Sequence, residues 1–250
     1  MMENRGQSLI QNRCGYTSAA HQSNRKVHQK GLAVAEIPKT KKKRDAEATK
    51  SRILMAAKSE FAKRGLGGAR VDEIAELAEA NKRMLYHYFG SKEDLFRTVL
   101  EEAYLDIRKA ERELNLEDLS PTDALETLVR FTWQYYLDNP EFITLINSEN
   151  LHGARHIKSL DNLPETMRGL VGMVDEILVK GQATGEFRSG IDAAQLNITI
   201  AAIGYYYLTN RHTGSFLFGR DLMEEKALDE RLAFNIETVL RLVRADSQGN

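Results

Sequence analysis

Residues 1 to about 40 show no sustained spacing of apolar side chains; they are rich in Gln, Asn, Ser, Gly and basic residues and cannot offset the entropy of being ordered. From Asp45 the pattern turns helical. Ile53, Leu54, Ala57, Phe61 and Ala62 recur at helical spacing, and Gly65 supplies a natural C-terminal stop. Val71, Ile74, Ala75 and Ala78 predict a short second helix, and Asn81 is suited to cap a third running through Leu85 to Tyr88. Ser91, just after Gly90, caps a longer helix that carries Leu95, Val99, Tyr104 and Ile107. Ser120 before Pro121 opens another, which ends near Asn139 and Pro140, and further helices are expected over 141–151, 164–183, 192–211 and 225–244. No apolar alternation bounded by hairpin turns and no internal repeat interrupts this series. The expected fold class is all-α: a basic arm over 1–44, a three-helix domain over 45–92 and a larger helical domain over 93–245.

Charge alters this picture once the chain is divided after Lys92. Residues 1–92 hold 19 Lys and Arg against 9 Asp and Glu, whereas the rest holds 16 against 27. One end is therefore suited to a polyanion and the other is not. The lone Cys14 excludes an internal disulfide framework and a multi-thiolate zinc site, and no cofactor or metal is expected. No apolar run approaches the roughly 18 to 20 residues that span a bilayer, and the N-terminus lacks the apolar centre of a secretory signal. A cytoplasmic protein with no membrane partner is the expectation.

The second and third helices, joined through Glu79 and Ala80, have the proportions of a helix-turn-helix, in which the first braces the backbone and the second enters the major groove. Ala75 permits a close crossing, and Ile74 and Leu85 can turn inward. Lys82, Arg83 and Tyr86 are then left on the outer face. Three segments, Phe61-Ala62-Lys63-Arg64-Gly65, Val71-Asp72-Glu73-Ile74-Ala75 and Leu85-Tyr86-His87-Tyr88-Phe89-Gly90-Ser91-Lys92-Glu93-Asp94-Leu95, together resemble the DNA-binding domain of the tetracycline-repressor (TetR) family.

The resemblance implies a homodimeric repressor with a helical effector-binding and dimerisation domain, released from a palindromic DNA operator by a small organic effector. It places the base-reading positions on Lys82 and Arg83, the groove-facing tyrosine on Tyr86, and backbone contacts on His87 and Lys92. Arg and Lys are the residues that take guanine, while Lys92 at a helix start suits a phosphate. Arg70 and Asn81 complete the expected DNA-binding set; Tyr88, Phe89 and Leu95 are expected in the core. Departures from the family pattern are Glu79 where a turn glycine is usual, Asn81 where a small polar residue is usual, and Ala69-Arg70 where Thr-Thr precedes the second helix. Glu79 in place of that glycine implies either a reshaped turn or, if positive φ is kept, a local cost on the order of 1 kcal/mol. Loss of the threonine cap carries about 0.5 to 2 kcal/mol unless a neighbour substitutes.

Beyond residue 95 the resemblance is architectural. Trp133, Tyr136, Phe142 and Tyr206 offer aromatic walls, and Asn147 and Asn150 offer polar groups, for an effector pocket. Each aromatic has core packing as its alternative. Ala201, Ala202 and Gly204 allow close approach on the penultimate expected helix, and Leu232, Ile236, Val239, Leu240 and Val243 stripe the last. This pair is expected either to meet its copy in a four-helix interface or to cover its own core. The helix from Ser91 is read as the sole continuous link between the domains. An enzyme is the competing class, but no phosphate loop, metal-ligand spacing or nucleophile motif supports it; His152 and His156 lack the glutamate of a zinc-protease helix.

Overall fold

The computed structural model describes residues 39–160 and 163–245, with side chains given from residue 44 and, after the gap, from residue 168. Cys14 and the arm as far as residue 38 lie outside the described residues. The described residues pack as one unit. The described residues form ten α-helices and no strand; the one β pairing is an isolated antiparallel bridge between Phe187 and Arg244.

The N-terminal helices are α1 (Lys39–Gly68), α2 (Val71–Leu77) and α3 (Lys82–Phe89). The basic run Lys41–Arg44 lies inside α1, where the sequence pattern placed it in the arm. Lys, Arg, Ala and Glu lose little side-chain freedom in a helix, so a helix nucleated by its packed part propagates outward through them. Gly65, at φ 64° and ψ 174°, breaks the helical path where a stop was expected. The long helix α4 (Lys92–Arg112) starts from Ser91, whose hydroxyl accepts from the Asp94 N–H at 2.9 Å.

The remaining helices are α5 (Pro121–Asp138), α6 (Pro140–Leu151), α7 (Leu163–Ala183), α8 (Ala193–Thr209), α9 (Arg211–Phe218) and α10 (Glu225–Val243). The sequence pattern offered no α9. Its eight residues expose Phe216, Leu217 and Phe218, so no apolar face marks it as a packed helix.

Two apolar cores result. The first joins Ile53, Phe61, Ile74, Leu85, Leu95 and Phe96 to Trp133 and Phe142, so the three-helix head is continuous with α4, α5 and α6. The second collects Leu125, Leu128, Val174, Leu178, Leu196 and Val239 from α5, α7, α8 and α10. Ile236, Val239, Leu240 and Val243 are buried in this second core. The stripe on the last helix thus covers its own chain, and the large apolar residues that α8 and α10 leave exposed are Ile198, Tyr206, Phe234 and Leu242. Helix α4 is not the sole link to the head, because α6 packs along α1 and the Ser148 hydroxyl accepts from the Leu66 N–H at 3.4 Å.

Candidate nucleic-acid interface and effector site

Helix α3 owes its placement to a few buried residues and a chain of caps. Leu85 is its fully buried anchor, while Lys82, Arg83, Tyr86 and His87 are exposed. Asn81 caps the helix by accepting from the Arg83 N–H at 2.8 Å, so it positions the recognition helix through its side chain. Glu79 takes φ 48°, which keeps the α2–α3 turn at the cost that the missing glycine implies.

At the start of α2, Arg70 occupies the cap position without a side-chain cap bond. The neighbour that compensates is Glu60. This buried carboxylate accepts from the Arg70 N–H at 3.1 Å and pairs with Arg64 Nε at 3.1 Å, which places negative charge at a helix N-terminus. Arg52 Nε donates to the Ala78 carbonyl at 3.0 Å and satisfies the other end of α2. Neither Glu60 nor Arg52 was singled out from the sequence.

The cations expected to meet DNA differ in how they are held. Lys82 Nζ lies 2.8 Å from Asp72 Oδ1 on α2, a hydrogen bond that lowers the Asp72 pKa and raises that of Lys82. Arg70 reaches Glu73 at 3.6 Å. Lys92 Nζ donates to the Ala69 carbonyl at 3.2 Å, so its ammonium ties α4 to the segment before α2. The His87 ring packs against Tyr88 at 5.4 Å. Tyr88 and Phe89 are half-buried against the first core and Leu95 is fully buried, as expected.

The expected pocket residues are not all brought together. Trp133, Tyr136 and Phe142 are buried in the first core, with Phe142 stacked on Tyr136 and edge-on to Tyr104 and Tyr135. Asn147 accepts from the Tyr205 hydroxyl. Asn150 is exposed and donates back to the Ile146 carbonyl at 3.0 Å. Tyr206 is 67% exposed and lines a separate groove of about 540 Å³ with Leu217, Phe218 and Phe234. These two residues stand apart from the aromatic cluster because each lies on the outward face of its helix.

A charged pair inside the fold was also missed. Arg108 and Glu111, both buried on α4, lie 2.8 Å apart between Arg108 Nη1 and Glu111 Oε2. Burial lowers the Arg108 pKa and pushes the Glu111 carboxyl up to about 7, against the pull of Arg108 and Arg112. The sequence did carry a signal, since Leu100, Tyr104, Ile107, Arg108 and Glu111 share the helical spacing of one face.

The N-terminal residues 53–99 match the model of bacterial regulatory proteins of the tetR family, and residues 121–239 match that of the tetracyclin repressor-like C-terminal domain. The HTH-type transcriptional repressor NicS of Pseudomonas putida is 41% identical over 199 residues, which span 80% of this chain and 94% of that protein. The chain belongs to the tetracycline-repressor family. As a member it is a helix-turn-helix transcription regulator, and α2 with α3 forms the motif. Escherichia coli K12 RutR, an HTH-type transcriptional regulator, is 29% identical, with 81% of this chain and 92% of that one covered. Among solved structures, the putative transcriptional regulator SCO4942 of Streptomyces coelicolor superposes with a TM-score of 0.59 at 27% identity, over 78% of this chain and 98% of that one. No described helix is long and apolar enough to cross a membrane.

Proposed function

We propose that the protein is a homodimeric repressor that holds a palindromic operator through α3 and releases it when a small organic effector enters the helical domain. The observation that carries this reading is the Asn81-capped α3 with Lys82, Arg83 and Tyr86 exposed together on its first turns. An α-helix of this kind fits the major groove, with Arg83 and Lys82 able to donate to guanine edges and the tyrosine beside them. NicS, a repressor by name and 41% identical, supports repression as the mode. The exposed Ile198, Tyr206, Phe234 and Leu242 on α8 and α10 supply apolar surface for the copy. In the dimer the two α3 helices must sit about 34 to 36 Å apart, or a multiple of one duplex turn, to meet both half-sites.

Selection of duplexes from a random pool by the full chain tests the reading. The expected product is a two-fold symmetric consensus. Binding without sequence preference would leave an architectural DNA-binding protein instead.

A further inference from the structure

Helix α9 is held firmly along one side and left bare on the other. Gly214 lies so close to the chain that follows that a Cβ there would stand 2.7 Å from Leu222 Cδ1. The Ser215 hydroxyl accepts from the Leu222 N–H at 3.0 Å, and Tyr207 of α8 donates to the Leu222 carbonyl at 2.9 Å. A short helix pinned in this way keeps a fixed position, yet Phe216, Leu217 and Phe218 on it are 86%, 73% and 71% exposed. Leu217 and Phe218 form one wall of the groove of about 540 Å³ whose other walls include Tyr206 of α8 and Phe234 of α10. Phe216 is not part of that lining and stands free beside it. The patch therefore carries a projecting ring next to an apolar recess.

We propose that this patch seats a second copy of the chain, with Phe216 of each protomer inserted in the partner's groove between α8, α9 and α10. The proposal rests on the reading of the protein as a homodimer and names α9 as the clasp that holds it. Tyr206 and Phe234 make the groove continuous with the exposed apolar surface of α8 and α10. At their exposures, Tyr206, Phe216, Phe218 and Phe234 leave roughly 400 to 700 Å² of ring surface open on each protomer, since an aromatic side chain buries about 150 to 250 Å². That equals the largest apolar patch of a typical monomer, about 300 to 600 Å², and approaches the roughly 800 Å² per partner of a stable interface before Leu217, Ile198 and Leu242 are added.

A projecting ring and a recess far apart on one molecule would join copies head to tail without closing. Here the two lie on neighbouring residues of one short helix. The contact that places one Phe216 in the partner's groove then places the other in return, which is the geometry of a two-fold pair. The charged residues of the rim are engaged within their own chain: Arg220 pairs with Glu230 at 3.0 Å, and the Arg231 guanidinium lies over the Tyr207 and Phe234 rings and donates to the Ile203 carbonyl at 3.0 Å. An apolar centre inside a polar rim is the anatomy of a protein interface.

The test uses the full chain at micromolar concentration, followed by analytical ultracentrifugation. Phe216→Ser and Leu217→Ser should each weaken the dimer by about a hundredfold or more, because each substitution removes a central contact twice. Both residues are exposed, so helical content should be kept. Leu151→Ser, at an exposed apolar residue of α6, should leave the dimer unchanged. A photoreactive benzophenone side chain at position 216, in a dimer mixed from light and heavy-isotope-labelled chains, should crosslink to the other chain's peptides that carry Tyr206 or Phe234. A dimer as tight in both serine variants as in the unmodified chain, equal weakening by Leu151→Ser, crosslinks confined to one chain, or an unmodified chain that stays monomeric would each overturn the proposal. So would binding to phosphatidylcholine vesicles that is lost in the serine variants, which would give the patch to a lipid surface. Operator selection is read separately. A dimer that persists without the clasp and still selects a two-fold symmetric duplex leaves the repressor reading standing, whereas a clasped dimer that binds duplex without sequence preference removes that reading and leaves the clasp.

Discussion

At Glu79 a side chain stands in the left-handed region, at φ 48°, where glycine would carry no penalty. Glu79→Gly is expected to raise stability by up to about 1 kcal/mol, the relief being offset in part by the freer unfolded chain; equilibrium denaturation measures it. Glu60 makes the opposite case. Glu60→Ala removes the acceptor for Arg70 N–H and the partner of Arg64, and should cost about 1 to 3 kcal/mol. Arg83→Ala should flatten the base preference at one position of each half-site and cost about 1 to 3 kcal/mol on the selected duplex, whereas an unchanged profile would remove Arg83 from the reading set. The caps Asn81 and Ser91 were legible in the sequence because each cap and the N–H that donates to it lie within three residues. Glu60 and Arg52 were not, since their partners lie 10 and 26 residues away and no local pattern announces them.

Helices α1, α4 and α6 meet at the joint between the head and the rest of the protein. Gly65 holds φ 64° and ψ 174°, a backbone state open essentially to glycine, directly before the Leu66 N–H that Ser148 of α6 receives. Just beyond, the buried Glu149 carboxylate accepts from the N–H groups of His156 and Ile157 at 2.8 and 3.1 Å, and the His156 ring stands edge-on to Phe96 of α4 at 5.2 Å. The joint therefore has two arms, α4 by continuity and α6 by contact. Gly65→Ala should cost about 1 to 3 kcal/mol in thermal unfolding and shift operator affinity as well. Helical spacing located the long helices because each buries a face. It could not say which chain covers the stripe on α10, because periodicity is the same for a neighbour in cis or in trans, and it passed over α9, which buries almost nothing.

For the whole molecule, the buried Glu111 makes stability depend on pH. Its carboxyl titrates at about 7 in the fold against an ordinary value of 4.5, so the folded state holds a proton that the unfolded chain has lost over that interval. Stability should fall as pH rises from about 4.5 to 7 and level off above, with Glu111 contributing at most roughly 3 kcal/mol of the fall. Glu111→Gln should flatten that slope, whatever it does to the absolute stability, and denaturant titrations at several pH values compare the two. Effector control carries its own obligation of symmetry. If a ligand weakens operator binding, the operator must weaken that ligand by the same factor, commonly about 5 to 150-fold, and titrating with and without duplex reads both.

The contact between Lys82 and Asp72 bears on how the protein searches a genome. At rest Lys82, one of the two cations proposed to read base edges, is occupied by a carboxylate of its own motif. A random stretch of duplex offers only phosphate in exchange, while a matching site adds a base edge, so Asp72 acts as a decoy that suppresses idle attachment more than productive attachment. Asp72→Asn should then bind unrelated duplex more tightly and with a steeper salt dependence, and the protein would linger on the wrong sequences.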